Sequence, residues 1–563
     1  MAAISVIVAA ACAGPAATQP PAASAVPGTS TASTRTLVAA VRVEPESIAA
    51  KGPRQVGVSL HFVKRLFNAE LSIENQQGTP IPYLADAVPQ LNTESWTVEP
   101  DGHMETTYHL RPNLRWHDGS PLTSDDFLFA WQVYRTPDLG FANSAPLNQM
   151  EDVLAPDAST VVVRWLRPYP DANLLVEDAF PPLPRRILEA QFQQQTLDAF
   201  VASAYWTREF VGLGPFRLER WEPGAFIEAS AFDGHALGAP KISRLKLLFI
   251  GDANTTLASI LAGEVQLSAD LSLGFTQAVT LKHQWEPTQG GTVLLHPNQW
   301  RATKFQLRPD LANPRAILDA RVRRALSFAL DKRAINDAIY DGEGIVAESM
   351  IPPMVDYYPQ IEPSVTKYPF DLRQSDQLMG EAGFRKTAGE SFAGPEGRLT
   401  LEIKTNASAE FESEMSALAA QWRQAGFDMA EAVLPAAQAQ DPQMRATFPS
   451  MFTHSTGLGE PALIDQVTSH IPGPANRWSG GNRGGYSNPD YDRLVEQFNS
   501  TLDRGERIRQ IAQMLKIYTD DAPSISLFFA TQPMAAVSAL KGPQLVVPGA
   551  VMGWDIHTWS WAE

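Results

Sequence analysis

Short runs rich in leucine and β-branched residues recur along the chain. They alternate with stretches in which apolar side chains return every three or four positions. The runs TLVAAVRV (36–43), STVVVRWL (159–166), RLKLLFI (244–250) and RLTLEIK (398–404) have the length and composition of strands. The helical stretches carry their own boundaries. Over 321–330, Val322, Ala325, Leu326 and Ala329 share one face. Asp331 then caps a second helix bearing Ile335, Ala338 and Ile339 and ended by Gly342. Met415, Leu418, Ala419 and Trp422 line a helix over 412–425, stopped by Gly426. Asn488-Pro489 is a cap followed by proline at the first helical position, ahead of the stripe Tyr491, Leu494, Val495 and Phe498. A helix over 504–518 repeats the pattern with Ile508, Ile511, Ala512 and Leu515. Strands interleaved with helices predict an α/β fold, and no internal repeat is visible.

The first residues break this pattern. Positions 2–11 are almost all apolar, but about ten residues span only ~15 Å of helix, half of a bilayer core. Such a run reads as the apolar part of an export signal. It leads into Ala9-Ala10-Ala11-Cys12-Ala13-Gly14. This segment resembles a bacterial lipoprotein signal, in which the cysteine is lipidated and becomes the mature N-terminus, with Ala9 where leucine is usual. Residues 13–34 are Ala, Pro, Thr and Ser with little else, a flexible tether that has nothing to bury. No later segment reaches 18 apolar residues. The expectation is an extracytoplasmic body held at the outer face of a membrane, in the periplasm or on the cell surface, by a lipid on Cys12.

Composition narrows the function. The chain has 563 residues and a formal charge of 45 − 62 = −17, with no block of Lys and Arg to interrupt it. Such a surface repels phosphate backbones, so nucleic acid is not an expected partner. With Cys12 as the one cysteine, a disulfide scaffold, a cysteine zinc site and an iron–sulfur cluster are excluded. The sequence contains no His-Glu-x-x-His, Gly-x-Ser-x-Gly, Gly-Lys-Ser/Thr phosphate loop or Gly-x-Gly-x-x-Gly. No enzyme, cofactor or metal is expected.

One block is more specific. YHLRPNLRWHDGSPLTSDDF (108–127) reads as a strand ending at Leu110, a turn at Asp118-Gly119, and Thr123 or Ser124 capping a helix with Asp125 and Asp126 in its first turn. It closely resembles the signature of the family 5 extracellular solute-binding proteins, the peptide-binding proteins of ATP-driven importers. Further blocks follow in the family's order: 64–86, GLGPFRLERWEPG (212–224), LAGEVQ (261–266), 319–353, EAGF (381–384), GYSNPDYD (485–492) and DAPSISL (521–527). The resemblance covers about 36–563. It implies a two-lobed α/β periplasmic-binding fold with an extra inserted domain and a ligand cleft between the lobes. Transferred to this chain, the signal is 1–12 and the tether 13–35. Lobe I is then 36–82, 206–297 and 525–563, the inserted domain 83–205, and lobe II 298–524. The chain would cross between lobes near 296–306 and 520–527, forming a hinge. The implied function is capture of a peptide or other small solute by hinge closure and delivery to an ABC permease driven by its ATPase subunits. The binding protein itself would act as a monomer. A ligand sensor or chaperone-like binding protein on the same fold is the alternative.

The resemblance also implies where ligand is held. Peptide-binding members present an aspartate from the second lobe to the ligand's α-amino group, just after an aromatic residue. The matching segment, FPSMFTHSTGLGEP (448–461), has Thr456-Gly457 at that place and His454 for the aromatic. A buried ammonium without a countercharge loses several kcal/mol. The candidate ligand-binding residues are therefore His454, Ser455, Thr456, Gly457 and Glu460, with Glu44 and Glu46 after the first strand and Trp300 at the first crossing. Glu460 is the nearest carboxylate to the missing aspartate.

Overall fold

The structure is a computed structural model that describes residues 35–53, 60–386, 390–439 and 441–562. Cys12, the apolar run and the tether lie outside the described residues. Among those described, no helix is long and apolar enough to cross a membrane.

The alternating runs assemble into an eleven-stranded sheet. Across it lie Asp428–Leu434, Thr400–Asn406, Met451–Thr456, Gly291–Phe305, Ser524–Val537, Leu267–Ser268, Thr36–Val41, Arg244–Phe249, Phe226–Ala231 and Phe216–Glu222, with Ile345–Val346 pairing to the side. Thr36–Val41 pairs in parallel with both Arg244–Phe249 and Leu267–Ser268. A strand so placed is covered on both faces, which is why its sequence is apolar almost throughout. The run over 398–404 shifts by two residues. Gly397 and Arg398 turn off to pair with Ala393 and Gly394, and the sheet strand begins at Thr400.

Helices start where side chains catch free backbone donors. Asp319 accepts from Arg321 N ahead of Ala320–Phe328, and Asp331 accepts from Arg333 N and Ala334 N ahead of Lys332–Tyr340. Ser408 accepts from Phe411 N, so the next helix begins at Ala409, earlier than its apolar stripe suggests, and it ends at Gly426 with φ +99°. In the Asp118-Gly119 segment, Asp126 accepts from Thr123 N at 3.0 Å and from Arg185 N at 2.9 Å. His117 is buried; Gly212 N donates to its Nδ1, and its Nε2 lies 3.0 Å from Gly214 O. The two most distinctive sequence blocks thus meet at one histidine that is part of the framework. A separate four-stranded sheet, ordered Trp96–Val98, Met104–His109, Thr160–Trp165, Met150–Asp157, falls within 83–205.

The apolar cores fall into two groups. One gathers around Leu37, Val41, Leu66 and Tyr108, with an adjoining cluster at Ala40, Leu273 and Leu281. The other gathers around Leu326, Ile403 and Trp422, with an adjoining cluster at Tyr491, Leu515 and Tyr518. Two strands belong to both. Gly291–Phe305 has Leu294 in the first group and Trp300 in the second. Ser524–Val537 has Ile525, Leu527 and Phe528 in the second group and Met534 and Ala536 in the first. Residues 525–529 are thus packed with the second group, and Met534 and Ala536 with the first.

Candidate functional site

The two crossing strands pair with each other along nearly their whole length, from Gly291↔Val537 to Lys304↔Ser524. The ladder thins where they pass between cores. Pro297 and Pro533 have no N–H to give, and Asn298 is bulged out between the pairs Pro297↔Thr531 and Gln299↔Ala530. A cavity of about 410 Å³ opens at this place. His296, Asn298, Gln299 and Gln532 come from the crossing strands. Asp270 and Glu177 come from the first group of cores, and Leu458 from the second. The chain over 546–552 forms a further wall.

Three of the residues lining it, Glu177, Asp270 and Leu271, have positive φ of 47°, 43° and 63°. Each left-handed non-glycine residue costs about 1–3 kcal/mol, so surrounding contacts must impose it. For Asp270 those contacts are visible. Its carboxylate, 1% exposed, accepts from Phe62 N at 3.2 Å and Val63 N at 3.0 Å at the start of the helix His61–Phe67. Burial lifts its pKa to about 6. Glu177 places both carboxylate oxygens on His61 Nδ1, at 2.8 and 3.0 Å, and that bond raises the histidine's pKa. His296 is 4% exposed, and its Nδ1 accepts from Val546 N. That fixes the proton on Nε2, which has no partner, and burial lowers the pKa to about 4, so the ring is neutral. A small adjoining cavity of about 20 Å³ shares His61, Glu177, Gly549 and Val551 with the first and adds Glu70 and Glu74. Burial raises these two carboxyls to about 8 and about 7. Among the described residues there is no group of three or more His, Cys, Asp or Glu placed to hold a metal ion.

The candidates read from sequence are placed differently. Of the segment 454–460, Leu458 is the residue that lines the cavity. His454 is buried and stacked on Phe452 at 4.9 Å, with Arg483 Nη1 at 3.2 Å from its Nδ1. Burial, Arg483 and Lys304 push its pKa well down, so it is neutral. Ser455 Oγ accepts from Arg301 Nη1 at 3.1 Å, and Thr456 lies opposite Trp300 in the ladder. Trp300 is wholly buried in the core with Phe529 and packs the crossing. Gly457 is exposed, while Gly459, at φ +74°, donates its N–H to Met350 O at 2.9 Å. Glu460 accepts from Arg507 Nη2 at 2.8 Å, so its charge is already matched within the protein. Glu44 accepts from Trp221 Nε1 at 2.7 Å and Gly224 N at 2.8 Å. It pins the turn between Phe216–Glu222 and Phe226–Ala231, and Glu46 beside it is on the surface. Sequence reasoning missed Asp270, Glu177, His296 and Gln532. The signal available for the place, though not for those residues, was the pair of prolines interrupting two otherwise strand-like runs.

The model of the bacterial extracellular solute-binding proteins, family 5, matches residues 86–462, more than half of the chain. An oligopeptide-binding protein of Bacillus subtilis is 22% identical over 458 residues, covering 79% of each chain. Among solved structures, HbpA2 of Haemophilus parasuis superposes with a TM-score of 0.74 at 19% identity, over 94% of this chain and all of the other. NikA of Brucella suis, in complex with Fe(III)-EDTA, superposes with a TM-score of 0.73 at 19% identity over the same shares. These likenesses give the two-lobed fold. Members of the family are extracytoplasmic binding proteins of ABC transporters and have no enzymatic activity. The chain belongs to the bacterial extracellular solute-binding proteins, family 5.

Proposed function

We propose that this protein is the substrate-binding subunit of an ABC importer, held outside the cell membrane by a lipid on Cys12. It captures a peptide or other small solute between the lobe built on the first group of cores and the lobe built on the second. Closure presents the loaded form to the permease. The observation that carries this reading is the position of the 410 Å³ cavity, at the point where two interrupted strands pass between cores. A ligand held there touches both sides, so its binding energy is available to shift an open–closed equilibrium. A micromolar complex is worth about −8 kcal/mol, enough to move an equilibrium that differs by a few kcal/mol.

The ligand is not a short free-amine peptide bound through the second lobe. Thr456-Gly457 stand where peptide-binding relatives are expected to have the aspartate, and Glu460 is neutralised by Arg507. Native mass spectrometry of the purified protein is the test of capture, and it is expected to show a co-purifying solute. Calorimetry is expected to show weak or no binding of free dipeptides and tripeptides, little altered by Glu460→Gln. Tight binding of free-amine dipeptides that collapses in Glu460→Gln would overturn this account of specificity.

A further inference from the structure

The walls of the large cavity are unequal in charge. Among its described lining residues there are two carboxylates, Glu177 and Asp270, and no lysine or arginine. His61 lines the cavity as well, and both of its hydrogen bonds to carboxylate oxygens are with Glu177, while Lys64 and Arg65 line the adjoining cavity. Asp270 feels the charge of the same histidine across space, and its two hydrogen bonds are to backbone N–H groups. A carboxylate has about four acceptor positions, so two such bonds do not saturate it. Behind Glu177 the adjoining cavity adds Glu70 and Glu74, each held above the ordinary carboxylate range by burial and by the charge of Glu177. Arg65, the guanidinium beside them, is committed to Tyr83 Oη and to the carbonyls of Asn68 and Trp554. Glu70, raised to about 8, is largely protonated at neutral pH, so the negative charge of the cavity wall rests on Glu177 and Asp270, which have His61 between them, an arrangement that a bound cation stabilises.

A second feature points to the same ligand. His296 Nε2–H is a buried donor without a partner on the cavity wall. Leaving such a group unmatched costs about 1–3 kcal/mol, and a ligand acceptor would recover it. An ammonium or guanidinium group has no acceptor to offer, so the acceptor must be a different atom of the same solute.

Resting on the capture function proposed above, we propose that the solute is cationic: an ammonium or guanidinium group sits against Glu177 and Asp270, and a neutral acceptor such as a carbonyl oxygen takes the hydrogen bond of His296 Nε2. The charge is read by Asp270 of the first lobe and Glu177 of the inserted domain, opposite the segment in which peptide-binding relatives are expected to hold an ammonium.

The test uses the full chain and calorimetry with agmatine, spermidine and doubly blocked tripeptides Ac-Ala-X-Ala-NH2, where X is Lys, Arg, Ala or Glu. At least one cationic probe is expected to bind tenfold or more tightly than the blocked alanine peptide, with the glutamate peptide weakest. The preference should shrink as NaCl is raised. Glu177→Gln is expected to bring the cation-to-neutral ratio towards one. His296→Ala should weaken binding of all the blocked peptides alike and leave that ratio unchanged. Melting temperatures of both variants show whether the fold survives, and the salt dependence of the wild type stands independently of either. Equal binding of cationic and neutral probes, or tighter binding of the glutamate peptide, would overturn the proposal. So would a co-purifying solute that displaces none of the cationic probes and carries no positive charge, while leaving solute capture intact. Absence of any bound or co-purifying solute would overturn the capture reading with it.

Discussion

Arg301 and Glu414 are 1% and 0% exposed and form an ion pair sealed from water. Tyr340 Oη donates to the same carboxylate at 3.2 Å, Ser455 accepts from the guanidinium, and the Phe411 ring lies 4.1 Å from it. Truncating one partner of such a pair leaves the other charged and buried. Glu414→Gln is therefore expected to cost about 3–5 kcal/mol, read by urea unfolding. Glu70 makes a contrasting prediction. Burial raises its pKa from 4.5 to about 8, so the folded state binds the proton more tightly than the unfolded one. Its contribution is fully present below pH 4.5 and is lost as pH rises towards about 8. Glu70→Gln should thus gain stability over the wild type across that interval and show no gain at its acid end. Neither carboxylate announces itself in the sequence. Glu70 follows an Asn-Ala pair, and Glu414 sits in a helix with Glu410 and Glu412. Their burial is set by partners hundreds or tens of residues away, which no local pattern encodes. The same holds for Asp270 and Glu177, whereas Glu44 and Glu460 stood out because they lie in recognisable segments.

Caps and stripes made the helices readable, since both are local. The Asp331 cap is a direct case: its carboxylate accepts from two backbone N–H groups at the start of Lys332–Tyr340. Asp331→Ala is expected to lower stability by about 1 kcal/mol, and Asp331→Asn by less, both read as shifts in the urea midpoint at unchanged slope. The two crossing strands were harder to read. Gly291–Phe305 runs for 15 residues through HPNQW, where alternation fails. It holds together because its partner, Ser524–Val537, offers a complementary edge more than two hundred residues on. Alternation marks a strand only when one face is dry and the other wet along its length. These strands instead change surroundings midway, from one core to a cavity wall to another core.

For the chain as a whole, ordered sequence blocks were enough to identify the family and its two-lobed fold, while the burial of 525–529 in the second group of cores follows from packing that those blocks do not encode. Small-angle scattering with a verified solute is expected to show a smaller radius of gyration than the free protein. Thermal stability should rise with occupancy, by about 2.7 kcal/mol at a hundredfold excess over the dissociation constant. An unchanged radius at saturation would count against rotation about the two strands. Cys12→Ser is expected to move the protein from the membrane fraction to the soluble one. The pairing of the crossing strands also has a mechanical consequence. Two separate linkers would let the lobes slide, splay or twist alike. Here thirteen paired positions join the two linkers into a ribbon. Force along the ribbon is carried by two extended covalent backbones side by side, so the joint is stiff in tension. Torsion is concentrated at Pro297, Asn298 and Pro533, where the bonds are fewest, so the joint is compliant in twist. The lobes are thus steered along one coordinate, like leaves on a flat spring, and the solute need only select a position on it.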